Sequence, residues 1–382
     1  MVDRNTLDNE QFRSLFRSWL EEVYPDRWKQ GPHRPLLRIR GSDARAWIRM
    51  LCDAGWRCPS WPRAFGGMEL SFEKQVIYHE ELDRICAGRV IDGGEQMIGP
   101  TLMQYGTAKQ KDRYIEPTRT GEYLWAQGYS EPGAGSDLAN IRTKAELDGD
   151  VYKINGQKIW TTHADECSHM YALVRTTVAE RKQAGITFIL IDMNTPGVTV
   201  RPIKTLAGED ELCEVFFDDV LVPKDNVVGE PDNGWQIAKS LLGYERVWIG
   251  NPGPSSKYLD LACELIMTED SDPAYKDELA QTLCDMHDFR ALYENMCDSL
   301  SVGQTPGPEF SILKIISADK LRDISELNAR AAGQYAQSNS DVTIDGTLTN
   351  IGWQYFTARS HAIFAGSNEI QRNILAKQVL KL

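Results

Sequence analysis

The spacing of apolar residues divides the chain into three stretches. Up to about residue 120 they recur three and four apart, as in SDARAWIRMLCDAGW and FEKQVIYHEELDRICAG. That is the period of an amphipathic helix. Pro62 and Gly66-Gly67 interrupt it within SWPRAFGGMEL and predict a turn-rich link. From about 121 to 228 the pattern becomes alternating. TKAELDGDVYKINGQKIWTT predicts strands with turns at Asp148-Gly149 and Asn155-Gly156. GITFILIDMNTPGVTVRPI reads as two strands around a Thr195-Pro196-Gly197 turn. CEVFFDDVLVP reads as another, closed by Pro223. From about 229 helical spacing returns in GWQIAKSLLGYERVWIG, in PEFSILKIISADKLRDISELNARAAGQYAQ and from Gln354 onward. The polar run MTEDSDPAYKDE predicts a loop or helix break there. The expected fold is α+β and multidomain. It has an N-terminal helical domain (1–120), a middle β-barrel (121–228) and a C-terminal helical bundle (229–382).

Length and charge narrow the function classes. A chain of 382 residues fits two or three domains. Its formal net charge is -13 and no basic run is present, which argues against nucleic acid or an anionic membrane surface as partner. The first residues, MVDRNTLDNEQFRSLF, are polar and lack the apolar core of a signal peptide. No stretch of about 18 apolar residues occurs, so no membrane span is expected. The eight cysteines are scattered without a CxxC pair, and the six histidines form no HExxH. No metal site or disulfide framework is expected, and a reducing cytosol is the simplest setting.

The most specific stretch is YSEPGAGSDLANIRTKAELDGDVYKINGQKIWTTHAD. GAGSD is a Gly-rich turn that can bring backbone N–H groups close to an anionic or polar ligand. It is not GxGxxG and has no P-loop Lys. Ser130, Ser136, Thr161 and Thr162 could donate hydrogen bonds, and Trp160 could lie flat against a ring system. Composition alone would read the same residues as a barrel corner with a core Trp.

This stretch resembles the flavin-binding signature of acyl-CoA dehydrogenases. WPRAFGG, QMIGPTLMQYGTAKQKDRYIEP, EVFFDDVLVPKDNVVGEPDNGWQIAKSLLGYER and the closing FAGSNEIQRNILAKQVL follow the family's order. The likeness covers roughly residues 45 to 250 and the last 25, and is poor from about 255 to 350. It implies FAD between barrel and bundle. By position, Tyr129, Ser130, Gly135, Ser136, Trp160, Thr161, Thr162, Ser367 and Glu369 would surround the cofactor. Ser130 would meet the pyrimidine end of the flavin, Thr162 its reactive edge and Trp160 its ring. Ser136 would also lie near the acyl-CoA, with Tyr244, Arg246, Ala365 and Gly366.

The reaction the resemblance implies removes a proton from Cα of an acyl thioester and a hydride from Cβ. A buried carboxylate suits the first step, because burial raises its basicity. In many relatives the base is the Glu of a Glu-Gly-Thr or Glu-Gly-Ser triplet. Here that triplet is Ala365-Gly366-Ser367, and only the Ala365 N–H remains, as a donor to the thioester oxygen. Other relatives carry the base on a bundle helix just before an Arg, which points to Glu245 in LLGYERVWIG. A surface Glu245–Arg246 pair is the bland reading, but sequence neighbours diverge on a helix.

Homotetrameric relatives also carry Arg-x-x-Phe-Gly and Gln-x-x-Gly-Gly-x-Gly motifs that hold a neighbour's nucleotide. This chain reads SDPAYKDELAQTLCDMHDFRALYENM and DGTLTNIGWQYFTARSHAIF instead. A homo-oligomer with another grip, or an α2β2 assembly with a related subunit, is therefore expected. Electrons would pass to an electron-transferring flavoprotein. The alternatives are an acyl-CoA oxidase or flavin monooxygenase on the same fold, and an inactive partner subunit. His163, His169 and Cys167 read as surface or satisfied groups. Trp235, Tyr244 and Trp248 could line an acyl pocket, with core packing the commoner use.

Overall fold

The computed structural model describes residues 3–29, 38–88, 90, 93–269, 271–299, 306–344 and 346–382, apart from the side chains of 243–245 and 347. The N-terminal helices are α1 (Asn9–Val23), α2 (Gly41–Asp53), α3 (Phe72–Arg84), α4 (Gly99–Tyr105) and α5 (Ala108–Thr120). Asp8 and Gln11 form a capping box at the start of α1, and Thr107 and Gln110 do so for α5. Phe12, Phe16, Leu20, Trp47, Trp56 and Tyr78 fill an aromatic core where the first three helices meet. A short π-helical turn, Gly94–Ile98, runs directly into α4.

Seven strands follow: β1 (Trp125–Gly128), β2 (Lys144–Asp148), β3 (Val151–Thr162), β4 (His169–Arg175), β5 (Ile186–Asp192), β6 (Val198–Ile203) and β7 (Leu212–Pro223). They pair in the order β1-β4-β2-β3-β7-β6, with β5 also on β4. Ala126, Ala145, Ile154, Ala172, Ile191 and Val215 come from six of these strands and share one core, so the sheet curls around its own interior. The opposite faces of β4 and β5 are buried as well. Tyr171, Leu173, Phe188 and Leu190 pack with Ile98, Leu102 and Leu241 of the helices. Burial on both sides is why these two strands are continuous apolar runs.

The Asp148-Gly149 turn joins β2 and β3, with Gly149 at φ +61°. Asn155-Gly156 is not a turn. It lies inside β3 at a register shift against β7. Gly156 has φ +148°, and a Cβ there would come within 2.7 Å of Thr143 Cα. The extra residue of that shift lies on β7, so Gly156 serves a close approach to Thr143 rather than a reversal.

The C-terminal helices are α6 (Gly234–Ile249), α7 (Gly253–Ile266), α8 (Pro273–Asp298), α9 (Ser311–Ala332), α10 (Ile351–Ser360) and α11 (Asn368–Ile374). The predicted break follows the end of α7 at Ile266. Pro273 then starts α8 and Asp272 caps it, so AYKDE is helical rather than loop. Between α9 and α10 the helical expectation fails. A hairpin of β8 (Val342–Ile344) and β9 (Thr347–Thr349) intervenes, with Gly346 at φ +85°. VTI and TLT alternate around an Asp-Gly pair, a hairpin signal; Asp345 itself lies outside the described residues.

Candidate active site

The sequence-predicted residues gather in two places: the rim of the sheet at β3, and the turn before α11. On β3, Lys158 pairs with Val215 and Thr161 with Cys213, so three steps face two. The extra residue puts Trp160 at φ +60°, a costly conformation for a bulky side chain. The bulge turns the indole outward, 56% exposed. Thr161 turns inward and its Oγ1 has no partner among the described residues. Thr162 is half-buried. An exposed indole held in a strained rim position is a poor core residue and a good platform for a ring.

Ser130 is fixed beside this platform, because Ile159 N–H donates to its carbonyl at 2.9 Å. Tyr129 is buried, edge-on to Tyr171 at 5.9 Å and to Phe188 at 6.4 Å. Beneath both lies a buried ion pair that composition and motif reading missed. Lys158 Nζ donates to Glu131 Oε1 at 2.7 Å and to Tyr129 O at 3.2 Å. Glu131 also accepts from the N–H groups of Arg142 at 2.5 Å and Thr143 at 2.9 Å. Burial alone would raise the Glu131 pKa, but Lys158 and these donors hold it below its ordinary value. Burial pulls Lys158 down to about 8 against the opposing Glu131, so it stays an ammonium at neutral pH. One signal was available in the sequence. Lys158 shares the inward parity of Tyr152 and Ile154.

The tip of the same loop is open. Gly135 and Ser136 are exposed, and a Cβ on Gly135 would meet nothing within 4 Å. The open turn, the orphan Thr161 hydroxyl and the outward indole fit a flat, partly anionic cofactor laid across the rim. A Trp160→Ala protein should therefore keep its apoprotein stability within about 0.5 kcal/mol. It should lose bound flavin on gel filtration that wild type retains; equal retention would refute the platform role.

His163 departs from expectation, being neither on the surface nor satisfied. It is buried, and neither ring nitrogen has a partner among the described residues. Burial, with Arg38 and Arg40 nearby, pulls its pKa down to about 3. His169 is buried too, with its ring 4.1 Å from that of Tyr123 and Nδ1 3.0 Å from Ser168 Oγ. Burial pulls it down to about 4. Both pKa values are depressed, so the unfolded chain binds the extra protons. The stability they contribute is full above the unfolded His value of about 6.5 and is lost as pH falls toward 4 and 3. The Tm should drop across that window. His169→Phe, which keeps the ring, should make the slope shallower by about one proton's worth. An unchanged slope would refute the assignment.

The second group lies on the turn before α11. Ala365 and Gly366 are both left-handed, at φ +53° and +78°. Gln371 Nε2 donates to Ala365 O at 2.8 Å, and Ser367 Oγ caps α11 by accepting from Ile370 N–H at 3.4 Å. The N–H groups of Ala365, Gly366 and Ser367 donate to no protein acceptor among the described residues. Successive unpaired N–H groups in such a turn favour a developing negative charge. Glu369 is exposed.

The remaining predicted residues lie on α6. It packs on β5, α4 and α9. Ser317 Oγ of α9 donates to Ile249 O at its end, at 3.0 Å. Tyr244 and Glu245 are on the helical backbone of α6, and their side chains lie outside the described residues. Arg246 and Trp248 are half-buried, and Trp235 packs against the core beside Leu241. Among the described residues no cluster could hold a metal ion, and no helix is long and apolar enough to cross a membrane.

Three family models cover nearly the whole chain. They are described as acyl-CoA dehydrogenase N-terminal domain (residues 6–122), middle domain (126–220) and C-terminal domain (232–380). The chain belongs to the acyl-CoA dehydrogenase family. It is 36% identical over 387 residues to acyl-CoA dehydrogenase IpdE1 of Mycobacterium tuberculosis, with 98% of each chain covered. Among solved structures it is similar to the Tcur3481-Tcur3483 steroid ACAD, at TM-score 0.86 and 25% identity, covering 98% of this chain and 97% of that one. It is also similar to the ChsE4-ChsE5 complex from Mycobacterium tuberculosis, at TM-score 0.84 and 28% identity, covering 98% and 97%. The helical, curled-sheet and helical order expected from the sequence is the fold of this family. As an acyl-CoA dehydrogenase the chain is an oxidoreductase acting on CH–CH bonds, and members of the family are flavoproteins.

Proposed function

We propose that this chain uses FAD to convert an acyl-CoA to its trans-2-enoyl-CoA, with Glu245 as the base. The observation that carries the reading is Trp160, turned outward on a rigid rim beside Ser130. Tyr129, Ser130, Trp160, Thr161 and Thr162 hold the flavin ring. Gly135, Ser136, Ser367 and Glu369 lie along its nucleotide arm. When bound, the flavin supplies the hydride acceptor. Glu245 takes the α-proton. Position 245 falls on the backbone of α6, within the apolar sequence LLGYERVWIG. The Ala365 and Gly366 N–H groups stabilise the oxygen of the developing enolate. Tyr244 and Arg246 flank the acyl-CoA, and Ser136 meets its polar arm. Residues 1–120, 121–228 and 229–382 act as the three units of this site.

The electron acceptor is an electron-transferring flavoprotein, and the setting is the cytosol, consistent with eight cysteines that form no disulfide. The assembly is a heteromer with a related subunit. Two points support it. The stretches that stand in place of the nucleotide-gripping motifs fold as α8 and as β9 with α10. Two of the similar structures are named as pairs of proteins. Anaerobic bleaching of the bound flavin by a panel of acyl-CoAs tests the reaction. No bleaching by any of them, with or without a related subunit, would refute it. H2O2 release without an added acceptor would favour an oxidase. A stable homotetramer with stoichiometric FAD, formed by this chain alone, would refute the heteromer.

A further inference from the structure

Lys314 on α9 is a fully buried lysine to which the reaction above gives no task. Its side chain is 0% exposed. Nζ donates to Asn368 Oδ1 at 3.0 Å. The other end of that carboxamide, Nδ2, donates to Asp319 Oδ1 at 3.0 Å. Asn368 is 4% exposed, so water does not replace these partners. Its backbone N–H donates to Ala362 O at 3.0 Å and closes the turn that contains Ala365, Gly366 and Ser367. One helix thus reaches across to clamp the far end of the turn.

The turn needs a clamp. Two consecutive left-handed residues, one of them Ala, are an unfavourable backbone state that persists only where surrounding contacts impose it. Gln371 holds the turn from inside through Ala365 O. The tie from α9 runs through a buried lysine and a buried carboxamide, where solvent does not compete for the hydrogen bonds. The same α9 accepts α6 through Ser317, so the helix bearing position 245 and the turn bearing the N–H donors are referred to one scaffold.

The geometry points to Lys314 as a positioning residue: acting through Asn368, it holds the Ala365–Gly366 N–H donors where the enolate oxygen of the acyl thioester forms. The catalytic part of this assignment rests on the acyl-CoA reading above; the anchoring part does not. Donors that meet charge only in the transition state should affect turnover more than substrate binding.

The test uses the full chain, with its partner subunit if flavin loading requires one, as Lys314→Met and Asp319→Ala. Hydrogen exchange of the 362–372 segment, without ligand, reads the anchoring. The amides of Asn368 and Gln371 should exchange about tenfold faster or more in Lys314→Met. With octanoyl-CoA as probe, kcat per bound flavin should fall about 100-fold. KM should change by no more than about threefold. The long-wavelength flavin absorbance induced by acetoacetyl-CoA, which enolises readily, should weaken in parallel. Asp319→Ala, at a half-buried position, should show smaller changes in the same direction, with exchange about threefold faster and kcat about tenfold lower, and it decides the matter if Lys314→Met does not fold. A lowered Tm with unchanged exchange, and unchanged kcat per flavin, would overturn the assignment. If wild type proves inactive on acyl-CoA thioesters, the proposed function fails. The exchange result still decides whether Lys314 anchors the turn.

Discussion

A Glu245→Gln protein is expected to bind flavin and acyl-CoA normally and to reduce its flavin about 10²–10⁴ times more slowly. That range is about 2.7–5.4 kcal/mol of lost transition-state stabilisation. Gln keeps the size and hydrogen-bonding reach of the side chain and removes only the proton acceptor. Ala365 has no side chain that could replace it. Glu369 is exposed at the start of α11. Glu146→Gln, at an exposed position of β2, is the matched control and should leave the rate of flavin reduction near wild type. Stopped-flow bleaching under anaerobic conditions separates this step from reoxidation. Reduction at the wild-type rate in Glu245→Gln would remove Glu245 from the mechanism.

Lys158→Met should be the most damaging single change at the rim. It leaves Glu131 buried and facing two N–H donors with its cation gone. Breaking a buried pair from one side costs about 3–5 kcal/mol, because the remaining charge is uncompensated. The loop that carries Ser130 should loosen at the same time, since Lys158 also holds Tyr129 O. Chemical denaturation reads the first effect and flavin occupancy the second. The double change Glu131→Leu with Lys158→Met should recover most of the stability, because no unpaired charge remains. A loss below about 1 kcal/mol in the single variant would mean that the pair is solvated and not a lock.

The sequence by itself determined the order of helices, strands and helices. It also placed the signature residues and the missing carboxylate at Ala365. These are local properties. Periods of 3.6 and 2 follow from which face of an element is buried, and turn residues act within four positions. Three features needed tertiary structure. Asn155-Gly156 carries the same chemistry in a turn as within a strand, and only the pairing of β3 with β7 distinguishes them. The outward Trp160 arises from the second register shift of that pairing. The ion pair Glu131–Lys158 and the bond Lys314–Asn368 join residues 27 and 54 apart in sequence. No periodicity encodes such pairs. A buried polar group finds its partner only when the chain has closed around both, and that closure fixes the rim and the turn.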